Sequence, residues 1–97
     1  MIVVEKKKDK ISISGHALYG DFGKDIVCSA VSSIVITTID GILMIDEKAI
    51  KVDTTEGIEI DVLKQDKVTL SLIKNMIILL KDLEKQYPKN IKIKEGV

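Results

Sequence analysis

One thiol and one imidazole give this chain its clearest capacity for covalent chemistry. Cys28 is the only cysteine and His16 the only histidine among 97 residues. A thiolate can attack a peptide carbonyl, and an imidazole can accept the thiol proton and later return it to the leaving amine. The two residues are therefore a candidate nucleophile and general base for peptide hydrolysis.

The residues before His16 predict a β-hairpin followed by a loop. Residues 2–5 and 11–14 are short β-branched segments on either side of a charged turn, and isoleucine alternates with serine in the second segment. Residues 15–24 are polar and contain three glycines, a composition that favours a loop able to approach another chain closely. His16 is thus expected at the end of a strand, where a loop begins that could cover a site.

A helix is predicted from about residue 25 to about residue 40, with Cys28 in or near its first turn. At roughly 100° per residue, its positions separate into two faces. Asp25, Cys28 and Ser32 share one stripe. The opposite face is predicted to pack on the core and carries Ile26, Val27, Ala30, Val31 and Ile34.

The first turn of a helix suits a nucleophilic thiol. Its backbone amides have no partners within the helix, and together with the helix dipole they favour a thiolate and can stabilise an oxyanion. Ile36 and Ile39 bring apolar side chains to the stripe that begins with Cys28, so the later turns are expected to be covered. Only the beginning of the helix is then expected to be open to solvent.

The rest of the chain adds three strands and one helix. Residues 49–53, 58–63 and 91–94 are strand-like. A second helix that ends before Pro88 is predicted by apolar residues at helical spacing, which are expected to face the core: Leu72, Met76, Leu79, Leu83 and Tyr87. The predicted order is ββαββαβ, an α+β fold in which a mixed sheet packs against two helices. No repeat or linker divides the sequence, so residues 1–97 are expected to form a single domain.

The composition excludes several classes of function. The cations are all lysines and equal the acidic residues in number, so no nucleic-acid-binding surface is expected. One cysteine allows neither an internal disulfide nor a multi-cysteine zinc site, and no metal or cofactor is expected. The longest unbroken apolar run, residues 76–80, is far shorter than the roughly 20 residues of a membrane span. The N-terminus lacks the charge order of a secretory signal, so a cytoplasmic location is expected.

Each candidate residue also has a purely structural interpretation. An isolated cysteine is commonly a small buried side chain, and a lone histidine in a loop often has no catalytic role. Asp25 could act as a helix N-cap, and Ser32 could bond to a carbonyl one turn earlier. From the residue types alone, catalysis and simple packing both remain open for Cys28.

A composite motif gives the strongest functional indication. Gly15-His16-Ala17 is followed, after a short glycine-containing loop, by residues 23–32 with the sequence GKDIVCSAVS. This arrangement closely resembles the ribosomal-processing cysteine protease family, and the chain length and order of elements are similar as well. The resemblance implies that Cys28 is the nucleophile and His16 the base, with supporting roles for Asp25 and Ser32.

The resemblance also implies a specific activity. The expected enzyme is a cysteine endopeptidase and homodimer that removes the N-terminal extension of ribosomal protein number twenty-seven of the large subunit during ribosome maturation. That extension is the expected partner, and neither a cofactor nor a metal, nucleic acid or membrane is expected. The loop is expected to close over an extended peptide, with contacts from Gly15, Ala17, Gly20 and Gly23.

The sequence differs from the usual family pattern at the residue after the proposed nucleophile and in the loop. Ser29 stands where alanine is usual, and Leu18, Phe22 and Lys24 occupy variable loop positions.

Two other functional classes are also open. A non-enzymatic ribosome-associated module would bind a protein tail and would tolerate Cys28→Ala. A thiol redox sensor would oxidise reversibly without cleaving peptides, although the chain has no second cysteine to resolve the oxidised thiol.

Overall fold

The computed structural model describes residues 1–15 and 26–96, which form a five-stranded sheet and two helices. The element order ββαββαβ and the mixed sheet packed against two helices confirm the α+β fold predicted from the sequence. The elements are β1 (Ile2–Lys7), β2 (Lys10–Ser14), α1 (Ile26–Ile45), β3 (Ile50–Asp53), β4 (Ile58–Val62), α2 (Lys67–Gln86) and β5 (Ile91–Glu95).

The sheet has the strand order β3-β4-β2-β1-β5. Only the pairing of β1 with β5 is parallel, whereas β1 with β2, β2 with β4, and β3 with β4 are antiparallel. Because Val4 lies opposite Ile13 and Ile11 lies opposite Ile60, the apolar residues of neighbouring strands share one face. The other face carries the polar residues that alternate with them, including Glu5, Lys10, Ser12, Ser14, Glu59 and Asp61.

The core lies between the apolar face of the sheet and the two helices. Burying a large aliphatic side chain contributes roughly 1.5–3 kcal/mol, so this layer supplies most of the driving force for folding. The most completely buried side chains come from both the sheet and the helices and are Val4, Ile11, Val35, Ile42, Ile60, Met76, Leu80 and Ile91.

The helix α2 is capped at its start and ends where proline would disrupt it. The carboxylate of Asp66 accepts the Thr69 N–H at 2.8 Å, which satisfies an amide that has no partner within the helix. The helix ends at Gln86, before Pro88, as predicted. Its buried face differs from the predicted one, because Leu79 is exposed and the core positions are Thr69, Ile73, Met76, Ile77, Leu80 and Leu83.

The helix α1 extends to Ile45, beyond the predicted end near residue 40. The burial of Ile42 favours this extension and offsets the roughly 0.5–1 kcal/mol that Gly41 costs inside a helix. By length and composition alone, α1 could cross a membrane, which the search for unbroken apolar runs overlooked. Core helices meet the same criterion, and one side of α1 does belong to the core cluster.

Two polar contacts connect α2 to β5 at the edge of the sheet. The Ile93 N–H donates to the Glu84 carboxylate at 2.9 Å. Further along, Lys81 forms an ion pair with Glu95. The hydrogen bond from Lys81 is the main reason that the pKa of Glu95 lies below its ordinary value. These contacts hold the second helix against the parallel edge strand.

An ion pair connects the end of α1 to the segment after β4. Lys64 Nζ lies 2.6 Å from Asp46 Oδ2, and the Lys48 N–H donates to Asp46 Oδ1 at 2.9 Å. The bond from Lys64, followed by the bond from Lys48, lowers the pKa of Asp46 below its ordinary value of 3.8. Because the folded-state pKa is the lower one, this stabilisation is present above pH 3.8 and is lost as the pH falls below it.

We expect Asp46→Asn to flatten the acid limb of the stability profile. Thermal unfolding followed from neutral pH to about pH 2 should show a smaller fall in Tm below pH 3.8 for the variant than for the wild type. The exposed Asp40 on the same helix supplies the control variant Asp40→Asn. An acid limb in Asp46→Asn as steep as that of the wild type would contradict this account.

Candidate active site

Cys28 lies in the first turn of α1, which begins at Ile26. Its side chain is half-buried and packs against the core cluster, next to the buried Val27 and Val31. The thiol therefore lies at the boundary between the core and the surface. The amides of the same turn point towards the helix start. From Ile26 onwards, where the description of this segment begins, the turn contains no acidic residue.

The buried face of α1 is rotated by about a quarter turn from the predicted one, towards the stripe that contains Cys28. The prediction that Ile26 faces the core is wrong, because its side chain is 64% exposed. Ala30 and Ile34 are only partly buried. The packed ridge is set by the whole length of the helix rather than by its first turns. It consists of Val27, Val31, Val35, Ile39 and Ile42.

The expectation that the later turns of α1 are covered on both sides is also wrong in part. Ile39 is buried as predicted, whereas Ile36 is 49% exposed. Beyond it, Met44 is 88% exposed. One side of α1 is thus apolar and open to solvent in the described part of the chain.

Ser32 lies one helical turn after Cys28 and is half-buried. This placement agrees with the shared stripe predicted from the sequence. The other residues of the predicted site, His16, Ala17, Gly20, Gly23 and Asp25, lie outside the residues that the structure describes. Their roles stay predictions.

Gly15 directs the chain out of β2 immediately before His16. Its φ angle is +84°, a conformation that favours glycine. A Cβ atom at this position would collide with the carbonyl oxygen of Met1. Both the backbone conformation and the close approach therefore require glycine at this point.

The topology brings the end of β2 and the start of α1 to the same end of the sheet. At the opposite end, α1 is followed by a turn in which the Ala49 N–H donates to the Asp46 carbonyl at 3.1 Å, just before β3. Ile50 of β3 pairs there with Val62, where β4 ends and β2 begins. The helix must therefore start near the end at which β2 finishes, so Cys28 and Gly15 lie on the same side of the domain.

A polar cavity of about 420 Å³ lies beside the end of β2. Sequence reasoning missed it, because residues 54–57 were interpreted only as the connection between two strands. The available signal was the alternation in β2, which turns Ser12 and Ser14 away from the core. The cavity is lined by Ser12, Ile13, Ser14, Asp53, Thr55, Glu56, Ile58 and Glu59.

Some of the charged groups around this cavity form hydrogen bonds or ion pairs with other residues of the chain. The Thr55 N–H donates to Asp53 Oδ1 at 2.8 Å, and this bond, followed by one from the Thr55 side chain, lowers the pKa of Asp53. Lys10 Nζ lies 3.5 Å from Glu59 Oε1. Within residues 1–15 and 26–96, no cluster of three or more histidine, cysteine and acidic side chains is arranged to hold a metal ion.

Solved structures share this fold over almost the whole chain. The essential ribosomal processing protease Prp from S. aureus, in complex with a covalently linked product peptide, matches with a TM-score of 0.89 at 22% identity. The match covers 99% of this chain and 100% of that one. A Streptococcus mutans protein matches with a TM-score of 0.76 at 21% identity, over 97% of this chain and 90% of that one. These likenesses establish the fold.

Sequence relatives establish the class. The ribosomal processing cysteine protease Prp of Mycoplasma pneumoniae is 28% identical over 96 residues, which cover 98% of this chain and 95% of that protein. The Staphylococcus aureus protein of the same name is 27% identical over 94 residues, covering 92% and 88%. With a cysteine in the first turn of α1, the protein is a cysteine protease. The model of the cysteine protease Prp family matches residues 1–92, and the chain belongs to that family.

Proposed function

We propose that this protease acts in the cytoplasm and removes the N-terminal extension of ribosomal protein number twenty-seven of the large subunit. The observation that carries the proposal is the position of Cys28 in the first turn of α1, at the end of the sheet where Gly15 leads into His16. The relatives named as ribosomal processing proteases support a ribosomal protein as the substrate.

The proposed reaction uses Cys28 as nucleophile and His16 as base. The imidazole takes the thiol proton, the thiolate attacks the scissile carbonyl, and an acyl-enzyme forms as the C–N bond breaks. The imidazolium then gives its proton to the leaving amine. Water, activated by the neutral imidazole, attacks the thioester, which releases the new carboxylate and restores the thiol. The amides of the first turn of α1 are suited to stabilise the oxyanion of each tetrahedral intermediate.

Other residues are proposed to support this chemistry. Asp25 would orient His16 or the loop, and Ser32 would hold the thiolate or a helix carbonyl. The loop residues Gly15, Ala17, Gly20 and Gly23 would contact an extended peptide. Because the relative from S. aureus has been solved with a substrate peptide, an extended peptide is a reasonable ligand for the same fold.

The proposed active form is a homodimer, supported by the open side of α1. Ile26, Ile36 and Met44 are all exposed and lie on the same side of this helix. Small polar residues, Ser29, Ser33 and Thr37, lie between them and allow close packing. An exposed apolar face of this kind is typical of an interface with another protein surface.

Ile36→Glu is expected to shift the protein from dimer to monomer, because the charge would have to be buried in the interface. Sedimentation velocity over a range of protein concentrations measures this directly. Lys74→Glu, at an exposed position on α2, is the control for the change in charge. A wild-type protein that is monomeric at all concentrations, or an Ile36→Glu variant that dimerises as well as the wild type, would contradict this interface.

Mass spectrometry of the host's own long-form ribosomal protein tests the proposed function. After incubation with the protease, one discrete N-terminal cut is expected, with the rest of the substrate intact. A substrate that remains whole would contradict the proposed cleavage and would favour a module that binds the protein tail without cleaving it.

A further inference from the structure

The last residues of β2 are enclosed by two close backbone approaches, each made possible by a glycine. On one side, Gly15 lies against the carbonyl of Met1. On the other side, Gly57 in the β3–β4 turn lies against the carbonyl of Ile13. In each contact, one of the two residues lies shortly before His16 in the chain: Gly15 in the first and Ile13 in the second.

Gly57 could not be replaced without movement of the backbone. A Cβ atom there would lie 2.5 Å from the Ile13 carbonyl oxygen and 3.5 Å from the Ser14 Cα. Its φ angle is +81°, in the region that favours glycine. Both atoms near the added methyl group belong to the backbone of β2, so no flexible side chain can move aside.

Pairing with β1 prevents the end of β2 from moving away from Gly57. Val3 pairs with Ser14 and Val4 with Ile13, which fixes β2 against β1. The start of β1 is itself held by a 2.9 Å bond from the Ile2 N–H to the Asn90 carbonyl. A displacement caused by a side chain at position 57 would therefore reach Gly15, the residue that follows β2.

The turn that carries Gly57 is also restrained. The Asp53 carboxylate accepts the Thr55 N–H at 2.8 Å, and Ile58, the residue after Gly57, pairs with Ile13. Because the turn is tied to the same part of β2 that it contacts, it cannot lift away without breaking this last pair. The position of Gly57 is thus coupled to the direction in which the chain leaves β2.

We propose that Gly57 is a positioning residue of the protease, acting on His16 through the end of β2. This inference rests on the proposed His16–Cys28 dyad. With Gly57 in place, the β3–β4 turn and β1 fix Ile13, Ser14 and Gly15, the residues from which the chain continues to the proposed base. A side chain at position 57 would displace this end of the strand, and we expect that displacement to impair the proposed dyad.

Gly57→Ala is expected to lower kcat by about 10-fold to 100-fold, because misplacement of a reacting group by about 1 Å can cost on the order of 10²-fold. KM should change less than kcat, since the substitution removes no peptide contact outright and displaces only Gly15 among the proposed contacts in the described residues. The rate of Cys28 alkylation by iodoacetamide, measured against pH, should also change. In the proposed dyad, alkylation at low pH depends on a thiolate paired with an imidazolium, so the profile of Gly57→Ala is expected to move to higher pH.

Two control variants separate positioning from general effects. Gly41→Ala makes the same chemical change in α1, where an added Cβ would meet nothing within 4 Å, and it should keep the wild-type kcat and alkylation profile. Ile73→Ala removes buried side-chain atoms from α2 and lowers stability without altering the sheet. If Ile73→Ala reproduced the losses of Gly57→Ala, the losses would reflect stability alone and the proposal would be overturned.

Two further variants test the contact itself. Asn tolerates positive φ better than Ala but still carries a Cβ atom, so Gly57→Asn should be as impaired as Gly57→Ala. Recovery in Gly57→Asn would overturn the role of the Ile13 contact. Asp53→Ala loosens the same turn without adding a methyl group, and it should shift the alkylation profile in the same direction by a smaller amount. This variant keeps the test decisive if Gly57→Ala does not fold.

The outcomes also distinguish this inference from the function on which it rests. A wild type that neither cleaves the ribosomal protein nor shows enhanced alkylation at low pH would remove the dyad and the inference together. An active wild type with a Gly57→Ala variant of unchanged kcat and alkylation profile would overturn the positioning role alone.

Discussion

Cleavage of the long-form ribosomal protein is expected to disappear when Cys28 is replaced by alanine. The expected loss is at least about 10³-fold, because the proposed reaction forms its acyl-enzyme on this thiol. The fold should be retained, since Cys28 is only half-buried and alanine fits in the first turn of a helix. Mass spectrometry of the intact substrate, taken over a time course, measures the remaining rate.

Ser29→Ala is the matched control for this variant. It changes the neighbouring residue in the same helical turn, and its side chain is exposed. It should cleave at the wild-type rate and show that the loss in Cys28→Ala is specific to the thiol. Circular dichroism of both variants checks that α1 is intact.

Three results would contradict the proposed thiol protease or favour a different function. Equal cleavage by Cys28→Ala and the wild type would contradict a thiol mechanism. If neither cleaves but both bind the ribosomal protein equally well, the protein-binding module is favoured. If the wild type does not cleave and Cys28 oxidises reversibly, a redox sensor is favoured.

Leu80→Ala is expected to lower the free energy of unfolding by about 2–5 kcal/mol. Leu80 is 0% exposed and belongs to the core cluster. Truncation removes apolar contacts and leaves a cavity that the β-branched neighbours cannot easily fill. Chemical denaturation at equilibrium should show a lower midpoint with little change in slope.

Leu79→Ala is the control, because it makes the same chemical change at the adjacent residue. Leu79 is 41% exposed, so its truncation should alter the free energy of unfolding by only about 0.5 kcal/mol. Similar losses at both positions would mean that α2 packs on a different face from the one described. Such a result would support the face predicted from the sequence, on which Leu79 was a core residue.

The strands and the order of the elements along the chain were predictable from the sequence because local signals coincide with the final structure. In β2, isoleucine alternates with serine, and the apolar residues are the buried ones. The charged turn between β1 and β2 and the proline after α2 mark the ends of elements. Local chemistry and tertiary packing agree at each of these points.

The orientation of α1 was not predictable in the same way. Its apolar residues cover most of the circumference, so periodicity does not select a single face. The face is selected by packing along the whole helix, because the core cluster shared with the sheet and α2 includes Val35, Ile39 and Ile42 as well as residues of the first turns. The extension through Gly41 has the same origin, since burial of Ile42 outweighs the low helix propensity of glycine.

The candidate site was predictable only in its components. The sequence predicted Cys28 in the first turn of a helix, and the structure agrees. It gave no indication that Gly57 contacts the Ile13 carbonyl, because that contact depends on the register between β2 and β4. The polar cavity beside β2 was missed for the same reason, since its walls come from segments far apart in the chain.

The carboxylate of Glu84 has a consequence for how the protein behaves at high concentration. Backbone amides on an edge strand are available to any other extended chain, and such edges are common starting points for aggregation. In β5 the Ile93 N–H is already bonded to Glu84, and the strand also carries the lysines Lys92 and Lys94. A second molecule adding a strand there would have to displace that carboxylate and approach two positive charges. This edge is thereby protected from uncontrolled strand addition.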